Sequence, residues 1–167
     1  MSFEGKVKVH IEFGEARADF EGDADQVFTM IVRFFTQVYP DLEILRKIIY
    51  TPDLTRLVEK IAGLVEITPE GQIILIRRDL SAGNLICLAL LASSIRNKLG
   101  SLAKGTLSSN DLTMITGKAK KTVSNELPQL VAKGLFERTS EGEYLITTLG
   151  IKRTEDIIDK YKAEMKS

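Results

Sequence analysis

Polar and apolar residues alternate from Lys6 to Phe13, with Val7, Val9, Ile11 and Phe13 on one face and Lys6, Lys8, His10 and Glu12 on the other. This is the period of a half-buried strand. Gly14-Glu15 reads as a turn into Ala16-Arg17-Ala18-Asp19-Phe20, so a β-hairpin is predicted. Asp23 and Gln26 stand at capping-box spacing and start a helix. Within it Val27, Ile31, Phe34, Phe35 and Val38 recur at helical spacing until Tyr39-Pro40. Two shorter helices, about 41–50 and 53–64, are predicted on either side of Thr51-Pro52. Residues 65–68 and 72–76 then flank Pro69-Glu70-Gly71 as a second hairpin. The first half is therefore α+β, with hairpins bracketing helices.

The pattern changes after Arg77-Arg78-Asp79-Leu80-Ser81, which reads as a close junction between residues 1–80 and 81–167. Residues 83–99 form a helix with apolar side chains almost all round, so it must be covered on more than one side. Ser108 and Asp111 supply an N-cap and a first-turn acid for a short helix that ends at Gly117. A second helix opens at once, with Val123, Leu127, Leu130 and Val131 on its inner face. Lys120, Lys121, Ser124 and Asn125 lie together on another face. Residues 136–138 and 144–146 flank a Gly142-containing turn as a third hairpin. A last helix from about Thr148 carries Ile157, Ile158, Tyr161 and Met165 at helical spacing.

The order Asp111-Leu112-x-x-Ile115-Thr116-Gly117, Thr122-Val123-Ser124-x-x-Leu127, Val131-x-x-Gly134-Leu135-x-x-Arg138 and Gly142-x-Tyr144-x-Ile146-Thr147-x-x-Gly150 resembles the winged helix-turn-helix superfamily. The likeness is to compact regulators of the MarR and ArsR type and their archaeal relatives, over about residues 84–150. It implies a recognition helix at about 120–133 entering a major groove, and a wing at about 139–143. Lys118, Lys120 and Lys121 suit phosphates, Ser124 and Asn125 suit base edges, Thr122 belongs to the same predicted DNA-binding set, and Arg138 stands beside the wing. Three features depart from the common pattern. Ala119 offers no side-chain cap, which leaves helix N–H groups for a phosphate. Pro128 inside the second helix should cost about 3 kcal/mol or bend it. Glu141 and Glu143 make the wing tip acidic, so phosphate should repel it from the minor groove.

Charge sharpens this division. The chain of 167 residues has a formal net charge of zero. Residues 1–80 hold 10 Lys+Arg against 14 Asp+Glu, and residues 81–167 hold 13 against 9. The basic surplus falls in the half with the predicted reader. His10 and Cys87 are the only histidine and cysteine, so no His/Cys metal site or His-based triad can be assembled in one chain. The acidic residues 19–25 read as capping and solvated groups, and Phe34, Phe35 and Tyr39 as core. No phosphate-cradling glycine motif occurs. No enzyme activity and no cofactor are expected. The longest apolar run, 85–92, is short of the ~20 residues of a membrane span, and a cytoplasmic protein is expected.

The reading is therefore an α+β N-terminal domain (1–80) for dimerisation, sensing or partner binding, followed by a winged helix-turn-helix domain (81–167) that binds double-stranded DNA as a transcriptional regulator. A homodimer is expected through Ile157, Ile158, Tyr161 and the 83–99 helix. The alternative is a winged-helix adaptor in a transcription, replication or repair assembly, without sequence-specific DNA contacts.

Overall fold

The computed structural model describes residues 5–38 and 50–167; the Tyr39-Pro40 stop predicted for the first helix, and the predicted 41–50 helix apart from Tyr50, fall outside them. The described fold is α+β, with six helices and three two-stranded antiparallel sheets. The chain divides into two compact units, Met1–Tyr50 and Thr51–Ser167.

In the first unit, strands β1 (Val7–Phe13) and β2 (Ala16–Gly22) pair across the two-residue Gly14-Glu15 turn, from Phe13↔Ala16 to Val7↔Gly22. The predicted alternation puts lysine, histidine and carboxylates on one face. There Lys8 Nζ meets Glu21 at 3.1 Å, Arg17 Nε meets Glu12 at 3.1 Å, and His10 Nδ1 lies 2.6 Å from Asp19 Oδ1. Helix α1 (Ala24–Val38) starts as its capping residues predict, Asp23 Oδ1 accepting from the Gln26 amide at 2.8 Å. Phe20 and Phe34 meet edge to face, with centroids 5.8 Å apart, and Phe34 makes a similar contact with Phe35.

The second unit is built around one helix. Helix α2 (Leu54–Ile61) starts at Asp53, whose carboxylate accepts from the Arg56 amide. Strands β3 (Val65–Ile67) and β4 (Ile73–Leu75) form the second hairpin. Helix α3 (Ala82–Lys98) follows, and every residue from Leu85 to Ser93 is buried. Helix α4 (Ser109–Thr116), helix α5 (Lys120–Ala132), strands β5 (Phe136–Arg138) and β6 (Tyr144–Ile146), and helix α6 (Thr148–Lys166) complete the chain. Helices α2, α4, α5 and α6 and strands β3, β4 and β6 all pack on α3. At roughly 1.5–3 kcal/mol per fully buried Leu or Ile, this enclosure dominates the unit's stability.

Two expectations are corrected here. The boundary at 80/81 moves to 50/51, because α2, β3 and β4 contribute Leu57, Ile61, Val65, Ile73 and Leu75 to the core around α3. The proposed dimer surface is consumed within the chain. Ile157, Ile158 and Tyr161 are buried as α6 packs on α2 and α3, and the Tyr161 hydroxyl donates to the Asp79 carboxylate at 2.9 Å. The over-apolar α3 likewise has its covering in its own unit.

Polar ties fix the periphery. Buried Glu155 on α6 lies 3.3 Å from Arg56 Nε and 3.6 Å from Lys60 Nζ on α2, and Lys60 also reaches Asp159. Arg96 on α3 donates to the Gly71 carbonyl in the β3–β4 turn and to the Lys104 carbonyl. The approach of residues 134–135 to the start of α6 is closer still. The Thr147 hydroxyl donates to the Gly134 and Leu135 carbonyls, and the Thr147 amide to the Leu135 carbonyl. A Cβ at Gly150 would stand 2.1 Å from that same Leu135 oxygen.

Gly150→Ala must therefore push apart two backbones. It should destabilise the protein by about 3 kcal/mol or more, read as a lower urea midpoint with an unchanged slope. In the first unit, His10 should titrate above 6.5, raised by its hydrogen bonds to Asp19 and then Glu12 and by the Asp19 charge. A raised histidine pKa stabilises the hairpin below 6.5, and this is lost as pH rises through the folded value. Imidazole NMR titration should show the shift, and Asp19→Asn should largely remove it.

Candidate nucleic-acid interface

The surface that carries the predicted site starts from a glycine. Gly117 ends α4 at φ +67°, a left-handed conformation that side chains other than Gly resist. The buried Thr116 hydroxyl donates to the Leu112 carbonyl at 2.6 Å and accepts from the Lys118 amide at 3.3 Å. The chain thus turns within Gly117-Lys118-Ala119, and α5 begins at Lys120. Val123, Leu127 and Leu130 fall on the buried side of α5 at spacings of four and three.

The same geometry sorts the polar residues. Lys120 with Ser124, and Lys121 with Asn125, form two adjacent rows one turn apart on the exposed side, and Thr122 is exposed beside them. Lys118 is half-buried in the turn. None of the side chains of Lys118, Lys120, Lys121, Thr122, Ser124 and Asn125 makes a hydrogen bond or ion pair with a described residue of the chain. As expected, Ala119 gives no side-chain cap. Side chains of Asp23, Asp53, Ser81, Ser108 and Thr147 cap α1, α2, α3, α4 and α6. Among the described helices only α5 leaves its first amides without such a partner. Pro128 is accommodated in a continuous, exposed turn of α5. Its missing N–H leaves the Ser124 carbonyl without a helical donor.

Sequence reasoning missed one cation here. A Cβ on Gly117 would come 3.0 Å from Arg78 Nη1, so the Arg78 guanidinium lies against the α4–α5 turn. The Arg77-Arg78 doublet was visible, but nothing local assigns it to a turn 39 positions further on. Arg138, by contrast, does not join the α5 rows. It is an exposed residue of β5 whose guanidinium lies beside the hairpin turn, 3.7 Å from where a Gly142 Cβ would be.

Strands β5 and β6 are extended by an isolated bridge between Leu107 and Tyr144, so three segments meet at the base of the hairpin. Its acidic tip is tied to the segment that leads into α4. Lys104 Nζ lies 2.7 Å from Glu141 Oε2, and the Thr106 hydroxyl donates to Glu143. The lysine hydrogen bond and charge lower the Glu141 pKa, and the same contact raises that of Lys104. Cys87 is buried in α3, and burial pushes its pKa up to about 11. Among the described residues no cluster of His, Cys, Asp or Glu could hold a metal ion, and no helix is long and apolar enough to cross a membrane.

In Lys104→Ala the Glu141 carboxyl should titrate back at an ordinary glutamate value. Its tie to Lys104 is present above the ordinary range and lost as pH falls through the lowered value. Carboxyl NMR titration of the two proteins checks this. No family model, curated protein or solved structure matches the chain.

Proposed function

We propose that residues 82–150 form a winged helix-turn-helix, and that the chain binds double-stranded DNA through α5 as a transcriptional regulator. The order supports this reading: a covered helix, two short helices across a glycine turn, and a hairpin with a bridged third segment. One observation carries the DNA contact. The uncapped start of α5 exposes Lys120, Lys121, Ser124 and Asn125, whose side chains have no partner among the described residues. Lysines that the protein does not pair, beside amides that it does not cap, form a surface suited to phosphate oxygens. Ser124 and Asn125 stand one turn deeper, where hydroxyl and amide groups reach base edges. Lys118 and Arg78 flank the turn as additional phosphate contacts.

The hairpin takes a different part. With Glu141 and Glu143 held by Lys104 and Thr106, its tip carries paired acids rather than free cations. Arg138 is the remaining basic group on that hairpin, placed to meet the backbone flanking the groove. The paired acidic tip is also what favours the second reading, an adaptor that uses this fold to bind protein.

Fluorescence anisotropy with duplex DNA at several salt concentrations separates the two. Under the DNA reading, log affinity falls linearly with log salt. Lys120→Glu/Lys121→Glu weakens binding and lowers the magnitude of the slope by about 2, roughly one for each phosphate that is no longer neutralised. Weak binding that the double variant leaves unchanged rejects α5 as the DNA contact and supports the adaptor.

A further inference from the structure

We propose that the N-terminal hairpin pairs with that of a second copy, β1 against β1, to form a four-stranded antiparallel sheet with α1 of each copy on one face. The inference stands independently of the DNA reading.

The first observation is an unfinished core. Val27 alone is buried among the residues of this unit whose exposure is described. Val9, Ile11, Ala16, Ala18 and Phe20 on the apolar face of the hairpin are only half-buried, and Val7 is exposed. Helix α1 packs chiefly over β2 rather than β1, while its Phe28 is 68% exposed. Among the described residues, α1 thus covers the apolar side of β1 less than that of β2. A two-stranded hairpin needs a helix or further strands to be stable, and α1 supplies that cover mainly to β2.

The second observation is the β1 edge. A two-residue turn makes Phe13↔Ala16 a hydrogen-bonded pair, so Val7, Val9 and Ile11 also direct their backbone groups toward β2. Lys8, His10 and Glu12 direct theirs outward, and β2 is the only strand neighbour of β1 among the described residues. Two such edges can pair about a two-fold axis at His10. That register sets Lys8 opposite the partner's Glu12, twice, and keeps the apolar faces together.

Charge selects this register. Within one hairpin Lys8 already meets Glu21, and Glu12 already meets Arg17. The new pairing joins them into a row across four strands: Glu21, Lys8, the partner's Glu12, the partner's Arg17. Signs alternate throughout. The central row runs Asp19, His10, the partner's His10, the partner's Asp19; the two imidazoles face each other, each beside its own carboxylate, and the register is favoured where they are neutral. Centring on Lys8 or Glu12 instead would oppose like charges, which destabilises a ladder. Pairing through β2 about Asp19 would oppose two carboxylates. Among two-fold axes through an outward-directed residue of either strand, the one at His10 of β1 is the one that opposes no two groups of fixed like charge, and axes at Ile11 of β1 or Ala18 of β2 are its competitors.

Sedimentation of the full chain tests this. Wild type should sediment at twice the monomer mass. Lys8→Glu places acid against the partner's Glu12, and Glu12→Lys places base against Lys8, so each variant alone should self-associate roughly tenfold or more weakly. Mixed in equal amounts they restore both pairs and should recover the dimer. Circular dichroism checks that each is folded. A second test needs no charge change of that kind. Opposed residues in a hydrogen-bonded pair have Cα atoms about 5.5 Å apart, within disulfide reach. His10→Cys should therefore cross-link under mild oxidation and Asp19→Cys should not, Cys87 being buried. A monomeric wild type, single variants that dimerise normally, a mixture that stays monomeric, or cross-linking at position 19 in place of 10 would each overturn the proposal.

Discussion

Helix α3 has no face that water can be given. From Leu85 to Ser93 every side chain is buried, so the chain must supply covering on all sides of a cylinder about 10–12 Å across. One layer cannot do that. The α4–α5 pair covers one side, α2 and the β3–β4 hairpin another, and α6 with β6 the rest. This demand explains why residues 51–80 belong with the C-terminal unit rather than with the first hairpin. It also explains why the apolar stripe of α6 is spent inside the chain, where Ile158 is 1% exposed.

Enclosure by apolar contact alone would leave the outer elements free to slide, since such contacts are non-directional. The polar ties sit where sliding would occur. Arg96 reaches from α3 to the β3–β4 turn and to the segment leading into α4, while Glu155 holds α6 to two cations of α2. Removing one member of the Glu155 set leaves charge facing a poorly hydrated site. Breaking such an arrangement is costly even where forming it gains little. The α4–α5 turn is thus carried on a rigid base, with Thr116 and Gly117 fixing the point from which α5 departs.

Local grammar was readable at nearly every element. The Lys6–Phe13 alternation announced β1, Gly14-Glu15 its turn, and Ser108, Asp111 and Gly117 both ends of α4. These signals act within four residues, and the structure reproduces them to within a few positions. What was not readable lies at longer range. Periodicity marked Ile157, Ile158 and Tyr161 as one apolar face but could not say whether α3 or another chain would cover it. The same blindness hid the Arg78 guanidinium at Gly117, and the Lys104–Glu141 pair that joins residues 37 apart. Six of the seven predicted site residues share one helix start, because turn and helical spacing place them there. Arg138 does not, since its neighbours depend on how the hairpin is held.

A chain of zero net charge is a poor electrostatic match for DNA only if its charges are evenly spread. They are not. On the hairpin tip Glu141 is matched by Lys104, and on α6 and α2 the buried Glu155 is matched by Arg56 and Lys60. Those carboxylates are answered within the chain, so their fields fall away quickly with distance. Among the described residues, the lysines at the start of α5 have no such internal answer. Screening at physiological ionic strength acts over about 8 Å, so a ligand at that surface feels the local surplus rather than the distant sum. Net charge therefore weighs little against the DNA reading. What counts is whether the unpaired lysines act together at one helix start.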